Sequence, residues 1–103
     1  MKRPKYNNIK TVVDGITFDS KAEAKRYQEL NMLGKAGEVR WFTRQPSFLL
    51  PGNIRYRPDF MVCDNAGKMW CEDVKGMETP AFKIKRKLWD DTFRGLPLKV
   101  VKR

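Results

Sequence analysis

The chain predicts a mixed α/β domain in which a central mixed sheet is flanked by helices, and three observations carry that expectation. Two segments of helical periodicity stand apart in the chain, one starting at Ser20 and one at Thr79-Pro80. Between them lies a run of strand-like segments divided by turn signals, and a last β-rich segment, residues 98–102, follows the second helix. The order helix, three-strand meander, helix, strand, preceded by a short hairpin, is that of a layered α/β arrangement.

Each element has a local reason. Residues 1–9, MKRPKYNNI, read as a basic N-terminal arm, and residues 10–103 as a single domain. KTVV and ITF flank Asp14-Gly15, a two-residue hairpin signal. The first helix is expected from Lys21 to Leu33, capped by Ser20 and closed by Gly34. Three strands are expected near residues 38–50, 55–63 and 68–75, with Gly76 ending the third. Thr79 supplies an N-cap and Pro80 a first-turn proline for the second helix, which Gly95-Leu96-Pro97 ends.

The segment Asp64-Asn65-Ala66-Gly67-Lys68 sets the register of the last two meander strands. If Gly67 takes the left-handed conformation and Asp64 pairs with Lys68, Cys63 faces Met69, Met61 faces Cys71, Asp59 faces Asp73 and Arg57 faces Lys75. One face then runs from apolar near the turn to charged at the far end. A four-residue loop would instead set Glu72 opposite Asp59, at the expense of placing Lys68 and Trp70 on the face that holds Met61. Like charges directly opposed across strands repel, so two aspartates there call for a cation or for neutralisation by Arg57 and Lys75. Both readings are physical: a divalent-metal site, or a solvated carboxylate pair balanced by its basic neighbours.

Composition narrows the classes. The chain has 103 residues, 41% of them hydrophobic, 33% charged and 12% aromatic, which supports one modest core. No apolar run is long enough to span a membrane and the N-terminal segment lacks the apolar stretch of a signal peptide, so a cytoplasmic protein with no membrane partner is expected. Two cysteines and no histidine leave a structural zinc site short of ligands, and Cys63 and Cys71 read as reduced core thiols. A formal net charge of +10 is the composition of a protein that meets a polyanion. The bland alternative is a basic protein with no specific partner.

Two further residues admit two readings. Ser20-Lys21-Ala22-Glu23 fits a capping box, yet Tyr27 and Leu30 follow Glu23 at four and seven residues, which sets its carboxylate on the stripe the helix buries. In the second helix Ala81, Phe82, Ile84, Leu88, Trp89 and Phe93 form an apolar arc with Lys85 inside it. Lys85 either snorkels to the edge of the core or points along the sheet toward Asp73. Lys83, Arg86 and Lys87 lie on the outer arc, as a solvated face or as contacts to a nucleic-acid backbone.

FDSKAEAKRYQEL with Glu23, RQPSF, YRPDF with Asp59, and EDVKG with Asp73 and Lys75 resemble the restriction-endonuclease-like nuclease superfamily, whose signature is a proline-aspartate and an acid-x-lysine. More narrowly, residues 5–102 resemble small phage and prophage proteins of the Holliday-junction-resolvase or endonuclease-I-like kind. The resemblance implies a restriction-endonuclease-like core with the acids on the β-hairpin and the leading helix completing a metal site. Asp73 stands where many relatives have Glu, and Glu72 adjoins it, so the identity of the second ligand stays open between the two.

The activity implied is that of a metal-dependent DNA endonuclease selective for branched or junction DNA, acting in phage recombination or replication, within the host cytoplasm. Asp59 and Asp73 would hold Mg2+, or Mn2+ in its place, with Glu23 as a further or water-mediated ligand. Lys75 would position or deprotonate the attacking water, a task that suits lysine because its pKa falls on desolvation. Gln45, before a proline, would orient a phosphate or water. Lys2, Arg3, Lys5, Lys83, Lys85, Arg86 and Lys87 would meet backbone phosphates, and a homodimer would supply the two cuts that a junction needs. A non-catalytic DNA- or RNA-binding module and a phage assembly protein are the rival classes.

Overall fold

A computed structural model of the chain describes residues 9–103. Its elements are β1 (Thr11–Val13), β2 (Ile16–Phe18), α1 (Lys21–Lys35), β3 (Val39–Arg44), β4 (Phe48–Leu50), β5 (Ile54–Tyr56), β6 (Phe60–Asp64), β7 (Met69–Lys75), α2 (Pro80–Thr92) and β8 (Leu98–Lys102). The expected basic residues Lys2, Arg3 and Lys5 lie outside the described residues.

The central sheet has four strands in the order β3-β6-β7-β8. β3, β6 and β7 form the antiparallel meander, and β8 returns through α2 to lie parallel to β7. Strand alternation sends neighbouring side chains to opposite faces, and each face has its own helix. Phe60, Val62 and Val74 pack with Ala24 and Leu30 of α1 and with Phe18 of β2, while Cys71 and Leu98 pack with Phe82 and Trp89 of α2. The molecule is therefore a mixed α/β arrangement with a helix on either side of a mixed sheet.

The caps explain where the helices begin and end. The Ser20 hydroxyl accepts from the Glu23 N–H at 3.1 Å, and the Thr79 hydroxyl from the Phe82 N–H at 3.1 Å. α1 runs beyond Gly34, which stays helical. Gly37 at φ +81° ends it, with Glu38 N–H donating to Leu33 C=O and Gly37 N–H to Gly34 C=O. These are the paired bonds of a Schellman motif, so glycine is required three residues later than expected.

Prolines break two of the expected strands. Segment 38–50 ends as β3 at Arg44, because Gln45 adopts φ +48° and Pro46 lacks an N–H for the ladder. Segment 55–63 is cut in the same way at Arg57-Pro58. The excised pieces, β4 and β5, form a separate two-stranded hairpin with Phe48 opposite Tyr56 and Leu50 opposite Ile54. Arg57 therefore does not face Lys75, since the chain leaves the sheet before reaching it.

The β6–β7 register follows the three-residue loop. Cys63 faces Met69, Met61 faces Cys71 and Phe60 faces Glu72, with Gly67 at φ +88°. Cys63 and Cys71 are buried free thiols, and burial pushes the Cys71 thiol up to about 12, helped by the charge of Glu72. In α2 the apolar arc is turned from its expected centre. Phe82 and Trp89 are buried, whereas Ala81 is exposed and Ile84 is 64% exposed. The aromatic residues of β4 and β5, which the sequence periodicity of α2 cannot reveal, select the face that is covered. Phe48 and Tyr56 lie 4.7 and 5.9 Å from the Trp89 ring.

Candidate active site

Asp59 and Asp73 meet at the open end of the β6–β7 pair. Pro58, itself fully buried, takes the chain out of β5 and delivers Asp59 just before β6 begins. There the two residues cross-link reciprocally. The Asp59 N–H donates to Asp73 Oδ1 at 3.1 Å, and Asp59 Oδ2 accepts from the Val74 N–H at 2.8 Å. Each carboxylate thus replaces part of the backbone ladder that ends at Phe60–Glu72, and each is held against the other strand.

The second oxygen of Asp73 has no such partner. The residue is 3% exposed, and Oδ2 is buried without a hydrogen bond. Its closest cation is Lys75 Nζ at 4.0 Å, and that ammonium also sits 4.5 Å from the Phe82 ring centroid. Burial holds the Asp73 carboxyl up at about 6 against the pull of Lys75, the Asp59 N–H and Lys85. Burial likewise raises Asp59, opposed mainly by the Val74 N–H and by Lys75. A buried carboxylate with an unused oxygen is an unsatisfied group awaiting a proton or a cation.

Glu23 comes from the first turn of α1 and is half-buried. Burial lifts its carboxyl to about 7, with the charges of Asp59 and Asp19 acting in the same direction and Ser20 and Arg44 opposing. Among the described residues no three of His, Cys, Asp and Glu come close enough together to share one ion. Asp59 and Asp73 form the pair, and Glu23 lines a neighbouring cleft of about 600 Å3 that neither aspartate lines. The cleft is lined by Ser20 to Glu23 at the start of α1, by Val74 to Met77 and by Thr79. For a hard divalent ion, which keeps several waters and takes one or two carboxylates directly, the oxygen donors of the pair and the unpartnered Asp73 Oδ2 are a suitable set.

Glu72 has a different task. It points to the α1 face, 2% exposed, where Arg26 Nε and Nη2 donate to its two oxygens at 2.8 Å each and Trp70 Nε1–H donates at 2.9 Å. The bond to Glu72 holds the Arg26 guanidinium above its ordinary value. Of the two adjacent acids, only Asp73 faces Asp59.

The remaining expected residues divide. Lys85 is half-buried, its ammonium 5.9 Å from the Tyr56 ring and its charge acting on Asp73. Arg86 is tied to Glu78 at 3.7 Å, and Lys83 and Lys87 are exposed on the outer side of α2. Gln45 lies past the end of β3, not within a strand, and its N–H donates to the Asp59 C=O at 3.0 Å. It secures Asp59 through its backbone.

Sequence reasoning missed Arg44, Asp19 and Tyr56. The Arg44 guanidinium lies 4.6 Å over the Phe18 ring, makes no salt bridge among the described residues, and acts on both Glu23 and Asp59. Asp19 acts on the same two acids. Tyr56 Oη is buried without a partner near Lys85. Only the acid adjoining a cap, Asp19, had a local signal; Arg44 ends β3 opposite Phe60, next to Asp59, and Tyr56 is set near Lys85 by the β4–β5 hairpin.

Over residues 3–103 the chain matches, and belongs to, the family described as Protein of unknown function (DUF1064). No curated protein and no solved structure matches it.

Proposed function

We propose that this member of the family is a metal-dependent DNA endonuclease of the restriction-endonuclease-like kind, acting on branched DNA. The observation that carries the reading is the pair Asp59–Asp73, half-buried and buried respectively beside Lys75 in a chain of net charge +10, with Asp73 Oδ2 left unpartnered. Two carboxylates set against each other, one of them buried, repel unless a cation or a proton offsets their charge. A mixed sheet with a helix on each face, with Asp73 on β7 and Asp59 just before β6, is compatible with that fold.

Asp59 and Asp73 would hold a divalent ion, Mg2+ or Mn2+, with Glu23 as a further or water-mediated ligand. When bound, such an ion lowers the pKa of its water and draws charge from a phosphate oxygen. The chain's own residues do the rest. The strand-to-strand bonds of Asp59 and Asp73 keep their oxygens in place without reorganisation. Lys75, held between Asp73 and the Phe82 ring, orients the attacking water and offsets charge on the phosphate. Glu23, lifted to about 7 by burial, is suited to take up a proton near neutral pH. Lys83, Lys87 and Arg86 extend the cationic surface along α2 for backbone phosphates.

One acid cluster per chain and two cuts per junction favour a homodimer in the host cytoplasm. The test incubates purified protein with a four-way junction, a flap, a single strand and a linear duplex, in Mg2+ or in EDTA, beside Asp73→Asn. Magnesium-dependent cleavage, strongest on the branched DNA and absent in Asp73→Asn, is expected. Binding that is equally strong in EDTA, with no cleavage of any substrate, would replace the reading with a non-catalytic nucleic-acid-binding module. Sedimentation of a monomer both free and on junction DNA would remove the dimer.

A further inference from the structure

The hairpin inserted between β3 and β6 is rooted on the candidate site. Gln45 N–H to Asp59 C=O, 3.0 Å, closes its base, and Pro58-Asp59 leads out of it. Its inner face is anchored. Leu50 is 2% exposed, and Phe48 and Tyr56 pack on Trp89 of α2. The hairpin therefore keeps a defined position next to Asp59.

Among the described residues no element covers its outer face. Leu49 is 52% exposed and stands directly opposite Arg55, whose Nη1 donates to the Ser47 hydroxyl at 2.9 Å; Arg57 beside them is also exposed. Charge complementarity says what fits there. From Val39 to Pro58 the chain has no Asp, Glu or Lys, yet it carries Arg40, Arg44, Arg55 and Arg57. Lysine supplies much of the positive charge elsewhere, so this segment uses only the cation that grips phosphate in a planar, two-pronged way and stacks on bases. A lone exposed leucine between arginines is the composition of a wedge that enters a base step while its neighbours hold the phosphates.

We propose that the outer face of the β4–β5 hairpin binds a DNA strand at a branch point, with Arg55 and Arg57 on the backbone and Leu49 against a base left unstacked by the branch. This assigns the substrate preference of the proposed nuclease to the hairpin and rests on that reading for its substrate. A base step in continuous duplex must be unstacked before Leu49 can enter, whereas a branch point offers one already weakened. Discrimination therefore falls on Leu49, and salt-dependent affinity on the arginines.

The experiment measures binding in EDTA, where cleavage plays no part. It uses a four-way junction and a linear duplex of equal length, with 2-aminopurine placed at the branch or at the duplex centre. Leu49→Ser should lower the junction-to-duplex affinity ratio about tenfold, in keeping with single base contacts, and should abolish the 2-aminopurine fluorescence rise at the branch. Arg57→Ala should weaken both complexes and reduce the slope of log affinity against log salt by about 0.9. Both side chains are on an exposed face, and an unchanged Tm for each variant establishes that the fold is intact. An unaltered affinity ratio in Leu49→Ser, or no binding of either DNA by the unmodified chain, overturns the proposal. If the ratio falls but no Mg2+-dependent cleavage occurs, the hairpin proposal stands and the nuclease reading fails; cleavage with an unaltered ratio gives the converse.

Discussion

Glu72 and Asp73 are consecutive on β7, equally buried at 2% and 3% exposed, and differently satisfied. Glu72 faces α1 and has both oxygens engaged by Arg26, with Trp70 adding a third donor. Asp73 faces the other side, with one oxygen on a backbone N–H, the other unpartnered, and Lys75 no nearer than 4.0 Å. The difference teaches that burial alone does not tell two acids apart; how fully each is satisfied does. A fully paired carboxylate is structural, joining α1 to the sheet, while a partly paired one stores free energy that a bound cation or proton releases.

Neutralising Asp73 is the severest test of this contrast. Asp73→Asn should cut cleavage roughly a thousandfold, about 4 kcal/mol at 1.36 kcal/mol per factor of ten, measured in single-turnover assays with saturating protein. Its amide can still accept from the Asp59 N–H, so folding should survive. Cleavage within threefold of the unmodified chain would sink the assignment of Asp73 and return Glu72 to consideration.

Glu72→Ala should act on stability instead. Removing one partner of a buried ion pair costs about 3–5 kcal/mol, and the low end is expected because Arg26 keeps Glu29 at 3.2 Å. Urea unfolding would measure this. A loss below about 1 kcal/mol would mean that the Arg26–Glu72 contact does not hold α1 to the sheet.

Lys75→Ala sharpens the comparison from the cation's side. Cleavage should fall about a hundredfold, at the low end of what one electrostatic donor contributes, with DNA affinity within a few-fold. A wild-type cleavage rate would make Lys75 only a neighbour of Asp73. Stability should also respond, since the variant removes a charge that lowers the pKa of both aspartates.

The smallest effect is a pH dependence. Asp73 is raised from 3.8 to about 6 and Glu23 from 4.5 to about 7, so between about pH 4 and 7 the folded state binds more protons than the unfolded one. The contribution of these groups is therefore full at acid pH and is lost as pH rises through the folded values. In EDTA, Tm should decline over that window by a few degrees relative to Asp73→Asn, and Mg2+ should restore it near pH 7.5. A metal-free Tm difference that does not change from pH 4 to 7.5 would show that Asp73 is not a strained acid.

Local chemistry made much of this molecule legible in its sequence. Asp14-Gly15 and Gly67 take backbone conformations that few residues tolerate, so both turns were legible, and the β6–β7 register followed once Met69 and Cys71 were set on the face of Met61. Ser20 and Thr79-Pro80 place the helix starts, and the period of two along β7 separates Glu72 from Asp73 once the register is set. The pairing of Asp59 with Asp73 was legible for the same reason: it propagates from a turn five residues away. Tertiary structure decided what depends on distant partners. Where Pro46 and Pro58 divert the chain, the freed hairpin packs on Trp89, which turns α2 away from the arc its own periodicity suggests and leaves Ile84 in water. Arg44 comes beside Asp59 through the β3–β6 pairing, Tyr56 meets Trp89 and Lys85 through that diversion, and Arg26 meets Glu72 across 46 residues of sequence. Turns act within a few residues, because steric limits on φ and ψ are local, whereas which side chain satisfies a buried charge is settled only when separate elements pack together.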